Sequence, residues 1–360
     1  MYFKIENVLY FYSFVSISLI LYNIIYIYSK NKEEENHNYL VSKYINEYEK
    51  NIIILKQKES INKKYYKKLK RELGKINNLL AFSDAMFQKK YKEDFKIYKR
   101  FIYDIFLDLY VIYNKKTDME KALFVYTVGN LKIEKDNNRI LDKRIINFLE
   151  KPSVYLVENI IKAFILLGHK ESLIKSLNIL NFNKIYHNEK LISDGLLEYT
   201  RDKLELSREL WEYRHDWMIP YVISIIKFIK SIGCDFKEEF YNALTKEDLD
   251  IEIKLELIRY FGKIKYDKVL DYLLDLIEND ENIDNNLHIV IAITLSNYPS
   301  KRTINALKNG MKNSNWYIRN NSCVSFLVLN PLQRDIDDIL NGNDKYAKDT
   351  LLYQLEKGDK

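Results

Sequence analysis

The sequence predicts an all-α protein: an α-α solenoid of stacked helical hairpins, preceded by one membrane-spanning helix. Three observations carry this. Turn punctuation is scarce in the 360 residues, with 9 Gly and 4 Pro, roughly 4% together against about 12% in ordinary globular chains. Apolar residues recur at helical spacing through most of the chain. Near the C-terminal end the pattern repeats itself at a fixed interval.

The first element is the run from Val8 to Tyr28, which holds no charged residue. As a helix rising about 1.5 Å per residue it spans roughly 31 Å, the thickness of a bilayer's hydrocarbon core. A secretory signal would be shorter in its apolar part and would close on small residues. This run closes on Ile24, Ile25, Tyr26, Ile27 and Tyr28. Tyr10, Tyr12, Tyr22, Tyr26 and Tyr28 sit toward its two ends, where interfacial aromatics gather. An uncleaved anchor is expected over 8–28. Only Lys4 precedes it, whereas Lys30, Lys32 and Lys43 follow. The positive-inside bias then leaves residues 1–7 as a short extracytoplasmic tail and places the rest in the cytoplasm, on the inner (plasma) membrane.

Residues 29–60 place Leu40, Tyr44, Tyr48, Ile52 and Leu55 at helical spacing, which reads as a juxtamembrane stalk helix able to pair with itself or with a partner's membrane helix. Next comes "KKYYKKLKREL" from Lys63, six basic residues within Lys63–Arg71. Leu69, Leu73 and Ile76, with Tyr65 or Tyr66 a turn earlier, make an apolar stripe. The charges therefore read first as the solvated face of an amphipathic helix. Contact with acidic lipid and binding of nucleic acid are the competing readings. A straight stalk would hold the cluster about 50 Å from the bilayer, beyond several Debye lengths, and no nucleic-acid recognition motif accompanies it. Residues 30–100 carry 19 Lys/Arg and 10 Asp/Glu, and residues 101–360 carry a net −3. The basic excess belongs to this segment and not to the main body.

From about residue 61 helical patterns alternate with short polar breaks. We read 61–150 as the helical N-terminal part of the solenoid and 151–360 as its repeats. Sliding the segment from Leu255 forward by 34 lays Leu255, Ile258, Phe261, Leu270, Leu273 and Ile277 on Ile289, Ala292, Leu295, Ile304, Leu307 and Met311. A further 31 lays Ile291, Ala292 and Leu295 on Ser322, Cys323 and Phe326. Two helices per 31–34 residues is the mark of an α-solenoid, in which each hairpin buries its apolar side only by stacking on its neighbours.

"NSNWYIRNNSCVSFLVL", from Asn313, resembles the first helix of a HEAT repeat: polar turn, β-branched residue, Arg319, then small Ser322 and Cys323 before a large residue. The small residues would let paired helices approach, and Arg319 would bridge polar turns. With "YHNEKLISDGLLEYT" (186–200), "IRYFGKIKYDKVLDYLL", "LSNYPSKRTINALK" and "LNGNDKYAKDTLLYQLEKG" (340–358), the chain is similar to bacterial membrane-anchored HEAT-repeat proteins. These are often encoded beside glycosyltransferases that make exopolysaccharide. The resemblance implies a binding protein rather than an enzyme, with an integral-membrane glycosyltransferase among its partners.

No catalytic, cofactor or metal constellation is expected. Cys234 and Cys323 have no Cys or His neighbour at ligand spacing and read as buried free thiols in a reducing compartment. The five histidines are dispersed. Candidate partner-binding residues fall in three places. In "HNEKLISD", His187, Lys190 and Asp194 form a polar recognition patch, unless Asn188 starts a helix and Ser193 or Asp194 makes a turn bond. "LWEYRHDWMIP" offers Trp211 and Arg214, types enriched in binding hot spots, which inter-repeat packing would use equally well. Trp316, Arg319 and Tyr346 face the same choice, with Asp344 the expected cap of the last helix. An enzyme with an unmotifed solenoid pocket and a tethered nucleic-acid binder acting through Lys63–Arg71 are the runner-up readings.

Overall fold

A single unbroken helix, α1 (Ile5–Lys56), contains both the anchor run and the expected stalk. The computed structural model describes residues 5–57, 61–135, 138–246, 248–279 and 283–358. Residues 1–4 of the expected tail and 58–60 of the expected stalk lie outside them. From Tyr10 to Tyr28 nearly every side chain of α1 is exposed, and this part of the helix is long and apolar enough to cross a membrane. All the regular elements among the described residues are helices. The chain divides into two units, 1–179 and 180–360.

In the first unit α1 is followed by α2 (Lys63–Leu73), α3 (Ile76–Phe87), α4 (Phe95–Tyr113), α5 (Asp118–Asn130), α6 (Ile140–Ile146) with a 3-10 turn over Asn147–Glu150, α7 (Val154–Leu167) and α8 (Lys170–Phe182), which runs past the boundary. Helices α1, α3, α5 and α7 pack side by side in one layer, while α2, α4 and α6 form a second. The stripe that read as a stalk is the first row of this core. Tyr44 meets the edge of Phe82 at 5.5 Å between ring centres, and Tyr48 meets Tyr98 at 5.0 Å. Both tyrosines are buried, as is Ile52. The second half of α1 is therefore the first helix of the stack, paired with its own chain; a five-residue stripe looks the same whatever covers it. Helices α5 and α7 are parallel and touch at backbone range. The Ser153 amide donates to Asp118 Oδ2 at 2.7 Å where they begin, and a Cβ added to Gly129 near the other end would lie 2.7 Å from Ala163 Cα.

The second unit continues with α9 (Glu189–Leu197), α10 (Lys203–Glu212), α11 (Ile219–Ile232), α12 (Lys237–Lys246), α13 (Ile251–Lys263), α14 (Val269–Asn279), α15 (Asn285–Leu295), α16 (Lys301–Gly310), α17 (Trp316–Val328), α18 (Gln333–Leu340) and α19 (Lys345–Gly358). Each odd-numbered helix packs on the next odd one, and even helices lean on them from one side. This is the predicted solenoid. Helices α13, α15 and α17 begin 34 and then 31 residues apart, the offsets read in the sequence. Local signals set the boundaries. Asp202, Asp250, Asp284 and Asn315 each accept the amide two residues on, at 2.8–2.9 Å, satisfying donors that a helix start leaves open. Gly233, at φ 70°, ends α11 in the left-handed region.

Tyrosine hydroxyls tie successive hairpins together. Tyr260 Oη donates to the Cys234 carbonyl and accepts the Phe236 amide, both at 2.8 Å. One repeat later Tyr298 Oη donates to the Phe261 carbonyl at 3.0 Å and accepts the Tyr266 amide at 3.1 Å. Small residues set the helix approach, as the HEAT-like pattern implied. A Cβ on Gly310 of α16 would fall 2.3 Å from Ser322 Oγ and 3.0 Å from Ser322 Cβ of α17, so a larger residue there would have to displace the serine side chain.

Candidate functional site

Helix starts place the expected recognition residues, and the structure separates them into three fates. Asn188 caps α9, accepting the amides of Lys190 at 2.9 Å and Leu191 at 3.3 Å. This turns Lys190 and Asp194 outward but leaves His187 only 4% exposed, inside the fold. Ser193 Oγ donates to the Lys190 carbonyl at 3.0 Å. His187, Lys190 and Asp194 therefore do not share one surface. Polar density signalled a helix start, and it could not tell which polar group turns inward.

Trp211 is likewise buried. Its ring meets Phe240 of α12 at 4.8 Å, with the Arg214 guanidinium 5.0 Å from the same ring. Trp211 is used in packing between neighbouring helices, and Arg214 covers its ring and donates to its carbonyl.

The third set comes together in the open. Trp316 and Tyr317 begin α17, and Tyr346 begins α19, the adjacent helix of the same layer. They are 51%, 62% and 61% exposed. Arg319 follows Trp316 by one turn of α17. Its Nη1 donates to the carbonyls of Asn313 and Ser314 at 2.9 and 2.7 Å, and its guanidinium sits 4.9 Å from the Tyr346 ring. Asp344 caps α19 through the Ala347 amide at 2.9 Å, fixing where Tyr346 emerges. Both hydrogen bonds of Arg319 therefore stay within the turn before its own helix, and its contact with the Tyr346 ring reaches the next hairpin. An arginine anchored against the Tyr346 ring, one turn from exposed Trp316, makes a binding patch of low conformational cost. Tyr317 was not singled out in the sequence; its place beside Trp316 at a helix start was the available signal.

Two buried ionic clusters were also not foreseen. In the first unit His169 Nδ1 faces Asp142 Oδ2 at 2.7 Å, while Nε2 faces Glu134 Oε2 at 3.0 Å. Burial pulls the imidazole pKa down, but the two carboxylates outweigh it and the net shift is upward. Glu134 is held below the usual carboxylate range, chiefly by its bond to His169. Ser172 Oγ donates to Asp142 at 2.8 Å rather than to the histidine. Both ring nitrogens are thus engaged by carboxylates, and the arrangement is a pin joining the start of α8 to α6 and the α5–α6 connection. In the second unit buried Glu256 receives Lys230 Nζ at 3.0 Å and Arg259 Nη1 at 2.6 Å. Burial raises its pKa, yet these cations outweigh burial and lower it.

The basic stretch forms α2, with Leu69 and Leu73 buried beneath it. Lys68 pairs with Glu47 at 3.1 Å and Lys70 with Asp108 at 2.8 Å, as expected of an amphipathic helix. It folds back along α1 instead of standing beyond a stalk. Cys323 is buried, its thiol pushed up to about 12 by burial, whereas Cys234 is only half-buried, less than expected. Among the described residues no group of three or more His, Cys, Asp or Glu is arranged to hold a metal ion. No family model, curated protein or solved structure matches the chain.

Proposed function

We propose that this chain is a membrane-anchored, non-catalytic scaffold that binds a protein partner through its solenoid. The observation that carries the reading is the continuity of α1: an exposed apolar run of bilayer length passes without a break into the first packed helix of the repeat stack. Lys30, Lys32 and Lys43 after that run, against Lys4 before it, favour a cytoplasmic solenoid. The partner surface is the Trp316–Tyr317–Arg319–Tyr346 patch, whose residue types suit a hot spot. Holding such a patch at a membrane raises its effective concentration toward a membrane enzyme without any added contact. The resemblance to HEAT-repeat proteins makes a polysaccharide-synthesising integral-membrane glycosyltransferase the partner class of choice.

Crosslinking in intact membranes, mild detergent extraction and mass spectrometry test this. The full chain should carry an integral-membrane partner with it. Combined W316A, R319A and Y346A substitutions should lower recovery of that partner at least tenfold, a loss that one hot-spot residue worth about 2 kcal/mol already exceeds, with an unchanged helical circular-dichroism spectrum. Recovery of the wild-type chain alone would overturn the proposal.

A further inference from the structure

We propose that one edge of the first unit lies on the bilayer surface and binds acidic lipid headgroups; this rests on the reading of residues 8–28 as a membrane span. Because α1 is unbroken, height above the membrane can be followed along it. Lys30 stands one turn or less beyond Tyr28. Lys30, Glu33, His37 and Leu40 share a groove of about 480 Å³ with Asn77 and Leu80, and Glu72 pairs with Lys43, so α3 begins beside the stretch of α1 from Lys30 to Lys43, within about 20 Å of Lys30. The Tyr113 hydroxyl at the end of α4 donates to the Leu73 carbonyl at 2.9 Å, bringing the α4–α5 turn to that level. The bond from the Ser153 amide to Asp118 Oδ2 adds the start of α7. The first turns of α3, α5 and α7 therefore line one membrane-proximal edge.

Its side chains suit a headgroup layer. Lys75, Lys115 and Lys151 are exposed there, and Met119, Val154 and Tyr155 are 65%, 61% and 63% exposed among them. The acids nearby are largely occupied: Glu120 by Lys116 at 2.7 Å, Glu72 by Lys43 at 2.8 Å, and Asp118 by Lys121 at 3.5 Å. Glu150 and, on α1, Glu33, Glu34 and Glu35 remain exposed. Lysines interleaved with apolar and aromatic side chains are the composition that anionic leaflets attract. The opposite edge has a similar composition around exposed Tyr91, but its height excludes it. Lys89 pairs there with Glu49 at 2.9 Å, and Glu49 lies about 28 Å up α1 from Lys30, some three Debye lengths.

The test uses the full chain in vesicles of phosphatidylcholine with or without phosphatidylglycerol. Cys234 is replaced by Ser, and single fluorescent labels are placed by I20C, Y155C or Y91C. Nitroxides on acyl chains should quench the label at 20, and nitroxides on headgroups the label at 155, with 91 quenched by neither. Adding K75Q, K115Q and K151Q should weaken association of the edge on the order of 100-fold in phosphatidylglycerol vesicles, so quenching at 155 falls while that at 20 stays. Quenching at 20 with none at 155 overturns the edge contact and leaves the anchor standing. An unquenched label at 20 overturns the anchor reading, and this inference with it. Equal quenching at 155 in both vesicle types, indifferent to the lysine substitutions, refutes recognition of acidic lipid.

Discussion

Removing one oxygen atom tests whether tyrosines bind the hairpins together. Tyr260→Phe keeps the ring that packs 4.6 Å from Phe240 and 5.4 Å from Phe261, so no cavity of side-chain size opens. It removes the donor to the Cys234 carbonyl and the acceptor of the Phe236 amide, both at 2.8 Å around a ring that is fully buried. Each lost hydrogen bond costs about 1 kcal/mol, and leaving the buried Phe236 amide unpaired raises the total to about 2–3 kcal/mol. At 1.4 kcal/mol per factor of ten, local opening becomes roughly 30- to 150-fold more frequent. The measurement should be local, because stacked hairpins need not unfold as one unit. Amide hydrogen exchange at Phe236 reports it directly. Tyr272→Phe, which loses only the donated bond to the Leu244 carbonyl at 3.0 Å, should show a smaller effect. Protection at Phe236 within about twofold of wild type would refute the reasoning, since that is far below the loss of even one such bond.

Other expectations follow from the packing and the buried charges. The raised pKa of His169 gives stability that is fully present below about 6.5, its unfolded value, and is lost as pH rises through the folded pKa. Glu134, lowered, gives stability present above its unfolded value and lost as pH falls through its folded pKa. Exchange protection around α6 and the start of α8 should therefore peak between these limits. His169→Gln should flatten the alkaline limb and cost roughly 3–5 kcal/mol at the optimum, because buried Asp142 loses its main partner. Glu256 is lowered too, so acid should loosen α11 and α13 as pH falls through its folded pKa, a loss that Glu256→Gln should not show. Gly129→Val should destabilise the α5–α7 pair by roughly 1–3 kcal/mol, read as a lower melting temperature. Adding Ala163→Gly should not restore it, because the nearest obstruction is the Ala163 Cα.

The period was the most legible part of the sequence. Helices α13, α15 and α17 start at the intervals that the alignment of Leu255 with Ile289 and of Ile291 with Ser322 required, because hairpins that stack must repeat their apolar faces in register. Caps were legible for the same local reason: Asn188 and Asp344 bond amides two or three residues away. Periodicity does not name the partner of a face, so Tyr44 and Tyr48 read as a stalk when α3 and α4 cover them. Nor does residue type fix burial, and His187 passed for surface. The His169 pin was invisible as a motif because its acids lie 27 and 35 residues upstream. That separation is close to one repeat, and in a solenoid residues about one period apart become lateral neighbours. A search at that offset would have found Glu134 and Asp142.

With residues 8–28 in a bilayer, the unbroken α1 would also leave no slack between lipid and protein. A flexible tether would let the attached domain roam a hemisphere and meet partners at any altitude. Here the backbone hydrogen bonds of one rod run from the apolar run into the rows of Tyr44 and Tyr48. With that run in a bilayer, every residue of the first unit acquires a set elevation, graduated at about 1.5 Å per residue along the rod. Inserting or deleting residues just after Lys32 would then lift, lower and rotate the whole unit in calculable steps, like turning a threaded post.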